Sequence, residues 1–325
     1  MRVQSAILLS LALTLGVAYA QNPPKNKKDD PSQIGARDVG KGVNFYSIEK
    51  EMALGKQLAQ EVTRQAKVST DERLGEWVNR VGQNLARNSD AKVPFTFQVL
   101  EGETPNAFAL PGGFIFVYTG LLKLATEEDE FAGALAHEIS HVAARHMTRQ
   151  ATKQQIAGMA SIPLSVILGG WGGYAARQAA GIATPLGFLK MSRADEEEAD
   201  YLGVQYMYAA GYDPNGMITI FEKMQALQKK QTGAVAGWFS THPMDATRID
   251  KTQKEIQRIL PSRPEYVVTT SEYHDMRAGL IAAENRRKSD DNPNKPTLRV
   301  APGSGKPDPD EKDERPTIKR RDLIE

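Results

Sequence analysis

The chain has 325 residues, with 41 Lys or Arg against 40 Asp or Glu, 40% apolar residues and no cysteine. That is the composition of a globular protein long enough to bury its own core. The missing cysteine excludes disulfides, thiolate metal sites and cysteine nucleophiles, and the near-balanced charge excludes bulk electrostatic capture of nucleic acid.

Met1 and Arg2, an apolar run from Ala6 to Val17 and then Ala18-Tyr19-Ala20 have the form of an export signal cleaved after Ala20. The run is shorter than the ~20 residues a spanning helix needs, so the expected location is the bacterial periplasm. Residues 21–40, full of Pro, Asn, Lys and Asp, read as a flexible lead-in. Residues 41–285 read as one folded domain. Residues 286–325, rich in Lys, Arg, Asp, Pro and Gly, read as a disordered tail.

The folded stretch is predicted to be α+β and predominantly helical. Ser47 to Ala66 and Asp71 to Ala86 carry apolar residues at three- and four-residue spacing, including Met52, Leu54, Leu58 and Val62 in the first, as amphipathic helices do. Phe95 to Val99 alternates as a half-buried strand. Phe114-Ile115-Phe116-Val117-Tyr118 is a second strand, entered through Pro111-Gly112-Gly113. A helix should then start with Thr126 as its N-cap and run through His146.

That helix carries His137-Glu138-Ile139-Ser140-His141. Two histidines four residues apart leave one helical face about a turn from each other and can share an ion. Glu138, about 100° round the helix, can reach a water on that ion without being a ligand. The bland alternative is two surface histidines. Against it, three of the five histidines fall between 137 and 146, and their flanks are small and apolar. Phe131, Leu135 and Val142 should anchor the opposite side in the core, with His146 rotated away from His141.

A catalytic zinc typically takes three protein ligands and keeps one position for water. Arg193 to Gly203 offers the third: Glu196 and Asp200 share a helical face, so Glu196 can bind metal while Asp200 accepts the ring N–H of a ligating histidine. Glu197 and Glu198 read as solvated acids. That helix should end at Ala210-Gly211, with Asp213-Pro214 starting another.

With His137-Glu138-Ile139-Ser140-His141-Val142, Ser192 to Asp200, Ala210-Gly211-Tyr212-Asp213-Pro214, and Ser240-Thr241-His242-Pro243 followed by Arg248-Ile249 in this order, the chain resembles the CAAX-prenyl-protease and HtpX-type zinc metallopeptidases over about Phe45 to Leu260. It is most similar to their soluble, exported bacterial branch. The resemblance implies a helical gluzincin fold with a small sheet beside the His-Glu-x-x-His helix. It also implies one zinc ion per chain on His137, His141 and Glu196, with Glu138 as catalytic base. Soluble members of the family degrade misfolded envelope proteins, which suggests periplasmic quality control.

His242, before a proline suited to the first position of a helix, stands where a loop can reach the metal. In some relatives the matching histidine fills the fourth metal position at rest. Otherwise His242 serves as a helix cap. Arg248 either neutralises charge near the cleft or pairs with the acidic helix. The expected chemistry is hydrolysis of a peptide bond by a water acidified on zinc, with Glu138 taking its proton. Phe114 to Tyr118 is the expected edge to which an unfolded polypeptide adds by backbone pairing. A zinc-stabilised chaperone-like binder and a hydrolase of non-peptide amides are the other readings.

Ile156 to Ala176 is long and uncharged enough to span a bilayer. One crossing would, however, part Glu196 from the two histidines. Broken helices or an apolar lid fit better, and membrane association is not favoured. Oligomeric state is not specified by the sequence.

Overall fold

The computed structural model describes residues 27–156, 191–230, 242 and 246–290. The expected export signal, the start of the expected lead-in, nearly all of the apolar segment 156–176 and the tail from 291 onward lie outside the described residues. The described residues are mostly helical with one three-stranded sheet, as expected.

The first helix, α1, is Ile48–Gln65, and Ser47 caps it by accepting from the Lys50 amide. It buries Leu54, Leu58 and Val62, whereas Met52, counted with them in the apolar stripe, is exposed. Helix α2, Glu72–Arg87, is capped by Asp71 and buries Leu74, Trp77, Val78, Val81 and Leu85. Both helices sit within a residue of their expected ends.

The sheet holds β1 (Thr96–Leu100), β2 (Ala107–Leu110) and β3 (Phe114–Tyr118) in the order β1-β3-β2. β3 runs parallel to β1, with Thr96 opposite Phe114 and Leu100 opposite Tyr118. β2 is antiparallel to β3, with Ala107 opposite Val117 and Leu110 opposite Phe114. The expectation that Phe114, Ile115, Phe116, Val117 and Tyr118 form the substrate edge is therefore corrected: they are the central strand, paired on both sides. The unbroken Phe-Ile-Phe-Val-Tyr run is the pattern of a strand covered on both faces. The open strand is β2, whose Ala-Phe-Ala-Leu sequence lacks the β-branched residues that would have marked it. Gly112 and Gly113, with φ of 76° and 94°, make the turn between β2 and β3, a conformation that costs an L side chain strain.

α1 covers one face of the sheet through Leu54, Leu58, Val62, Leu100, Phe108 and Phe116. The main core lies on the other face, where the Trp77 ring packs 5.0 Å from Phe131 and 5.1 Å from Tyr273. After the short α3 (Thr119–Leu124), helix α4 (Glu128–Ala143) crosses this core with every one of its residues buried. Gly133 lets it touch α7 (Asn215–Lys230), since a Cβ there would come within 2.7 Å of the Met217 Cα. Helix α6 (Arg193–Ala210) opens on a reciprocal Ser192–Asp195 capping box and ends at Gly211. Helix α8 (Ala246–Ile259) is followed by α9 (Ser271–Asp290).

Two further expectations are corrected. α4 begins at Glu128 on an N-cap, Glu127, without a side-chain bond, while Thr126 gives its amide to Glu130. α4 also stops at Ala143: Arg145 takes a φ of 56°, and a new helix, α5 (His146–Ile156), starts beyond it. A non-glycine residue there costs roughly 1–2 kcal/mol. The Arg145 side chain is held by Glu51, 2.9 Å from Nε, and by the Tyr46 carbonyl.

Within the lead-in expected to be flexible, residues from Lys27 on are seated on the fold. Val39 joins the core and Arg37 is buried against Asp90, 2.5 Å from Nη2, and Gln205, 2.6 Å from Nη1. Composition cannot show one arginine meeting a buried carboxylate far along the chain. The chain divides into compact units at Ile281–Ala282, and α9 runs on to Asp290, past the expected domain end at 285.

Candidate metal centre

α4 is buried on all sides, so its two histidines leave a rigid helix inside the protein instead of its surface. Their Nε2 atoms lie 3.0 Å apart. α6 crosses α4 and brings Glu196 to them, with Oε2 3.4 Å from His137 Nε2 and Oε1 3.6 Å from His141 Nε2. His242 closes the group, its Nδ1 2.9 Å from Glu196 Oε1 and 3.3 Å from His137 Nε2. One donor atom from each of these four buried residues falls within 4.8 Å of all the others.

Asp200 stands 2.9 Å from His137 Nδ1, the ring atom turned away from the cluster. Arg248 grips Asp200 in a two-pronged pair, with Nε and Nη2 each 2.8 Å from a carboxylate oxygen. Its Nη1 lies 2.7 Å from Glu196 Oε2. Arg248 is buried, and its contacts with Asp200 and Glu196 agree with both of its expected roles, since Glu196 belongs to the cluster and to the acidic helix. Glu197 is exposed and paired with Lys251, in keeping with a solvated acid.

Glu138 points toward the open strand of the sheet. Its Oε2 accepts from the Ala109 amide at 2.9 Å, while Oε1 is buried with no hydrogen-bond partner. The nearest base to Oε1 is His242 Nε2, at 3.5 Å. An open cleft beside Glu138 and His141 is walled by Phe108, Leu110, Val142, Met147 and Met191.

His146 is not rotated away from His141. The break at Arg145 folds it back, so that the two Nδ1 atoms are 2.8 Å apart. His146 Nε2 in turn meets Glu198 Oε2 at 3.1 Å. Sequence reasoning missed the Ala109 amide and these two side chains, because the strand and the helix break that deliver them went unread.

The electrostatics favour a cation at the centre. Burial would neutralise Glu196, but His242 and His137 outweigh it and hold the carboxyl well below the usual range. Burial, with His137 close by, depresses His141 and keeps it neutral, as a metal ligand must be. Burial also disfavours charge on His137, yet Asp200 and Glu196 push it up to about 9. Without an ion, the cluster draws positive charge in as a proton. Burial raises the Glu138 carboxyl against the opposing pull of His242 and His137. Imidazole nitrogens and a carboxylate oxygen at these separations, with an orphaned carboxylate oxygen beside them, fit a divalent transition ion.

No helix among the described residues is long and apolar enough to cross a membrane. The chain is 28% identical over 242 residues to the beta-barrel assembly-enhancing protease of Yersinia pestis, covering 71% of this chain and 49% of that protein. It is 27% identical over 247 residues to the Escherichia coli K12 protein of the same name, covering 74% and 50%. Against the mitochondrial metalloendopeptidase OMA1 of Schizosaccharomyces pombe it is 34% identical over 201 residues, covering 61% and 57%. The chain spans about half the length of the curated relatives it matches.

A family model described as peptidase family M48 matches residues 72–256, more than half of the chain. That stretch takes in α4, α6 and Arg248, and the chain belongs to peptidase family M48.

Proposed function

We propose that the chain is a zinc metalloendopeptidase of the bacterial envelope, with His137, His141 and Glu196 holding one zinc ion and Glu138 as catalytic base. The observation that carries this is the convergence of four buried donor groups beside a carboxylate oxygen that nothing satisfies. Bound zinc would supply Lewis acidity, lowering the pKa of a water and polarising a peptide carbonyl.

The chain's own residues supply the rest. Glu138 is fixed through Oε2 by the Ala109 amide, so Oε1 is the atom that takes the water's proton and returns it to the leaving amine. Asp200 accepts the Nδ1 proton of His137, leaving Nε2 free to ligate, and Arg248 holds Asp200 in place. The outer side of β2, Ala107–Leu110, is where an extended substrate adds as a strand, and such pairing reads backbone more than side chain. That favours unfolded polypeptide, in keeping with the expected export and with relatives named as beta-barrel assembly-enhancing proteases.

His242 stands 3.5 Å from Glu138 Oε1 and 2.9 Å from Glu196 Oε1, which supports reading it as the group that would hold the fourth metal position at rest. His242→Ala should therefore raise cleavage of an unfolded substrate several-fold at saturating zinc. A variant with no more activity than wild type would remove the resting role.

The decisive comparison is wild type against Glu138→Gln, measuring zinc per chain and cleavage of an unfolded casein. Both should hold one zinc, and the variant should lose roughly 10²–10⁴-fold in rate. Equal cleavage by the two would rule Glu138 out as the base.

A further inference from the structure

The geometry points to His146 and Glu198 as positioning residues for the metal centre, a relay that fixes the proton on His141 as Asp200 fixes it on His137. The inference rests on reading His141 as a metal ligand, and it assigns work to two residues outside that ligand set.

His141 faces the cluster with Nε2, so as a ligand it must carry its proton on Nδ1. Nδ1 lies 2.8 Å from His146 Nδ1. Two protonated nitrogens cannot face each other at that distance, so His146 must accept there. A neutral His146 that accepts at Nδ1 carries its proton on Nε2, and Nε2 is 3.1 Å from Glu198 Oε2. Only one arrangement of protons is compatible with ligation: Glu198 accepts from His146, His146 accepts from His141, and His141 Nε2 is left bare. The opposite arrangement puts a proton on the face of His141 that meets the other ligands.

The surroundings hold the relay in this sense. His146 is fully buried, so solvent does not supply the partner that Glu198 supplies. Glu198 is steadied by Arg149, whose Nη1 is 3.3 Å from Oε2, and Arg149 also donates to the Ala144 carbonyl at 3.1 Å. Lys28 stands 3.8 Å from the other oxygen of Glu198. Delivery depends on the helix break. In an unbroken helix His146 would lie about 140° round from His141, and the positive φ at Arg145 is what turns it back. Glu198 and Glu196 share α6, so one helix would provide a ligand to the metal and an acceptor behind a second ligand.

The test measures zinc affinity of the full chain by competition with a chromogenic chelator, alongside the thermal midpoint of each metal-free form. His146→Ala and Glu198→Ala should each bind zinc ten- to a hundredfold more weakly than wild type. Glu197→Ala, one residue away on an exposed side chain, should stay within twofold. If His146→Ala fails to fold, Glu198→Ala carries the test, since its side chain is partly exposed. Nitrogen-15 spectra of histidine-labelled, zinc-loaded protein add a readout that a packing role would not move: His146 should be neutral with its proton on Nε2, and Glu198→Ala should weaken that preference. Wild-type zinc affinity in both variants, or a His146 protonated on Nδ1, overturns the relay while leaving the metal centre standing. A wild-type chain that takes up no zinc overturns the metal centre and the relay together.

Discussion

Asp129 sits in the first turn of α4 with 5% of its surface exposed. Burial raises its carboxyl to about 7 against the opposing hydrogen bond of the Glu130 backbone, and the neighbouring acids Asp213, Glu130 and Glu127 add to the rise. The folded-state pKa is thus above the unfolded value, so the native state prefers the protonated acid. The associated stability is fully present below about pH 4 and is lost as pH rises through about 7. Asp129→Asn keeps the neutral form at every pH. It should raise the thermal midpoint at pH 8 and flatten the decline between pH 4 and 7, and a variant less stable than wild type at pH 8 would contradict the account. Single residues were legible in proportion to how local their chemistry is. His137 and His141 declared themselves by spacing alone. Glu198 looked like one more solvated acid, because the histidine that gives it a purpose reaches it only through a backbone turn that Ala-Ala-Arg does not announce.

At the scale of elements, capped and amphipathic pieces were readable and exceptions to pattern were not. α1 and α2 follow from Ser47, Asp71 and their apolar stripes. β2 escaped because two of its four residues are alanine, and that omission put the open side of the sheet on the wrong strand. β2 bears on the proposed base through the Ala109 amide that holds Glu138. This N–H points away from β3, so proline is tolerated there as at other edge positions. Ala109→Pro should leave zinc content and circular dichroism unchanged and lower kcat by about ten- to a hundredfold, the worth of one hydrogen bond to a charged group. Unaltered kcat would show that Glu138 needs no such support.

Across the whole molecule, the donors come from α4, α6 and residue 242, so an ion on them would tie distant parts of the chain. At a hundred times its dissociation constant, a ligand specific to the folded state stabilises by about 2.7 kcal/mol. For a domain of this size, that corresponds to roughly 5–10 °C in thermal midpoint. Chelation should produce a fall of that size, reversed by stoichiometric zinc, and a midpoint indifferent to chelator would deny the ion a structural share. The N-terminal strap was the least legible part at this scale. Its meaning lies in Arg37 meeting Asp90 and Gln205, which no window of local sequence contains.

The sheet has one further consequence. β1 is covered at its end, where the Ser69 amide donates to the Val99 carbonyl and the Glu101 amide to the Lys67 carbonyl, and β2 forms the opposite rim of the sheet. Bare strand rims invite other chains to stack on them. Here the rim is four residues long and the Glu138 carboxylate already occupies one of its amides. By closing that amide, the group proposed as the base would leave an incoming chain only the remaining bonds of this short rim, and Glu138→Ala should co-precipitate with denatured protein more readily than wild type.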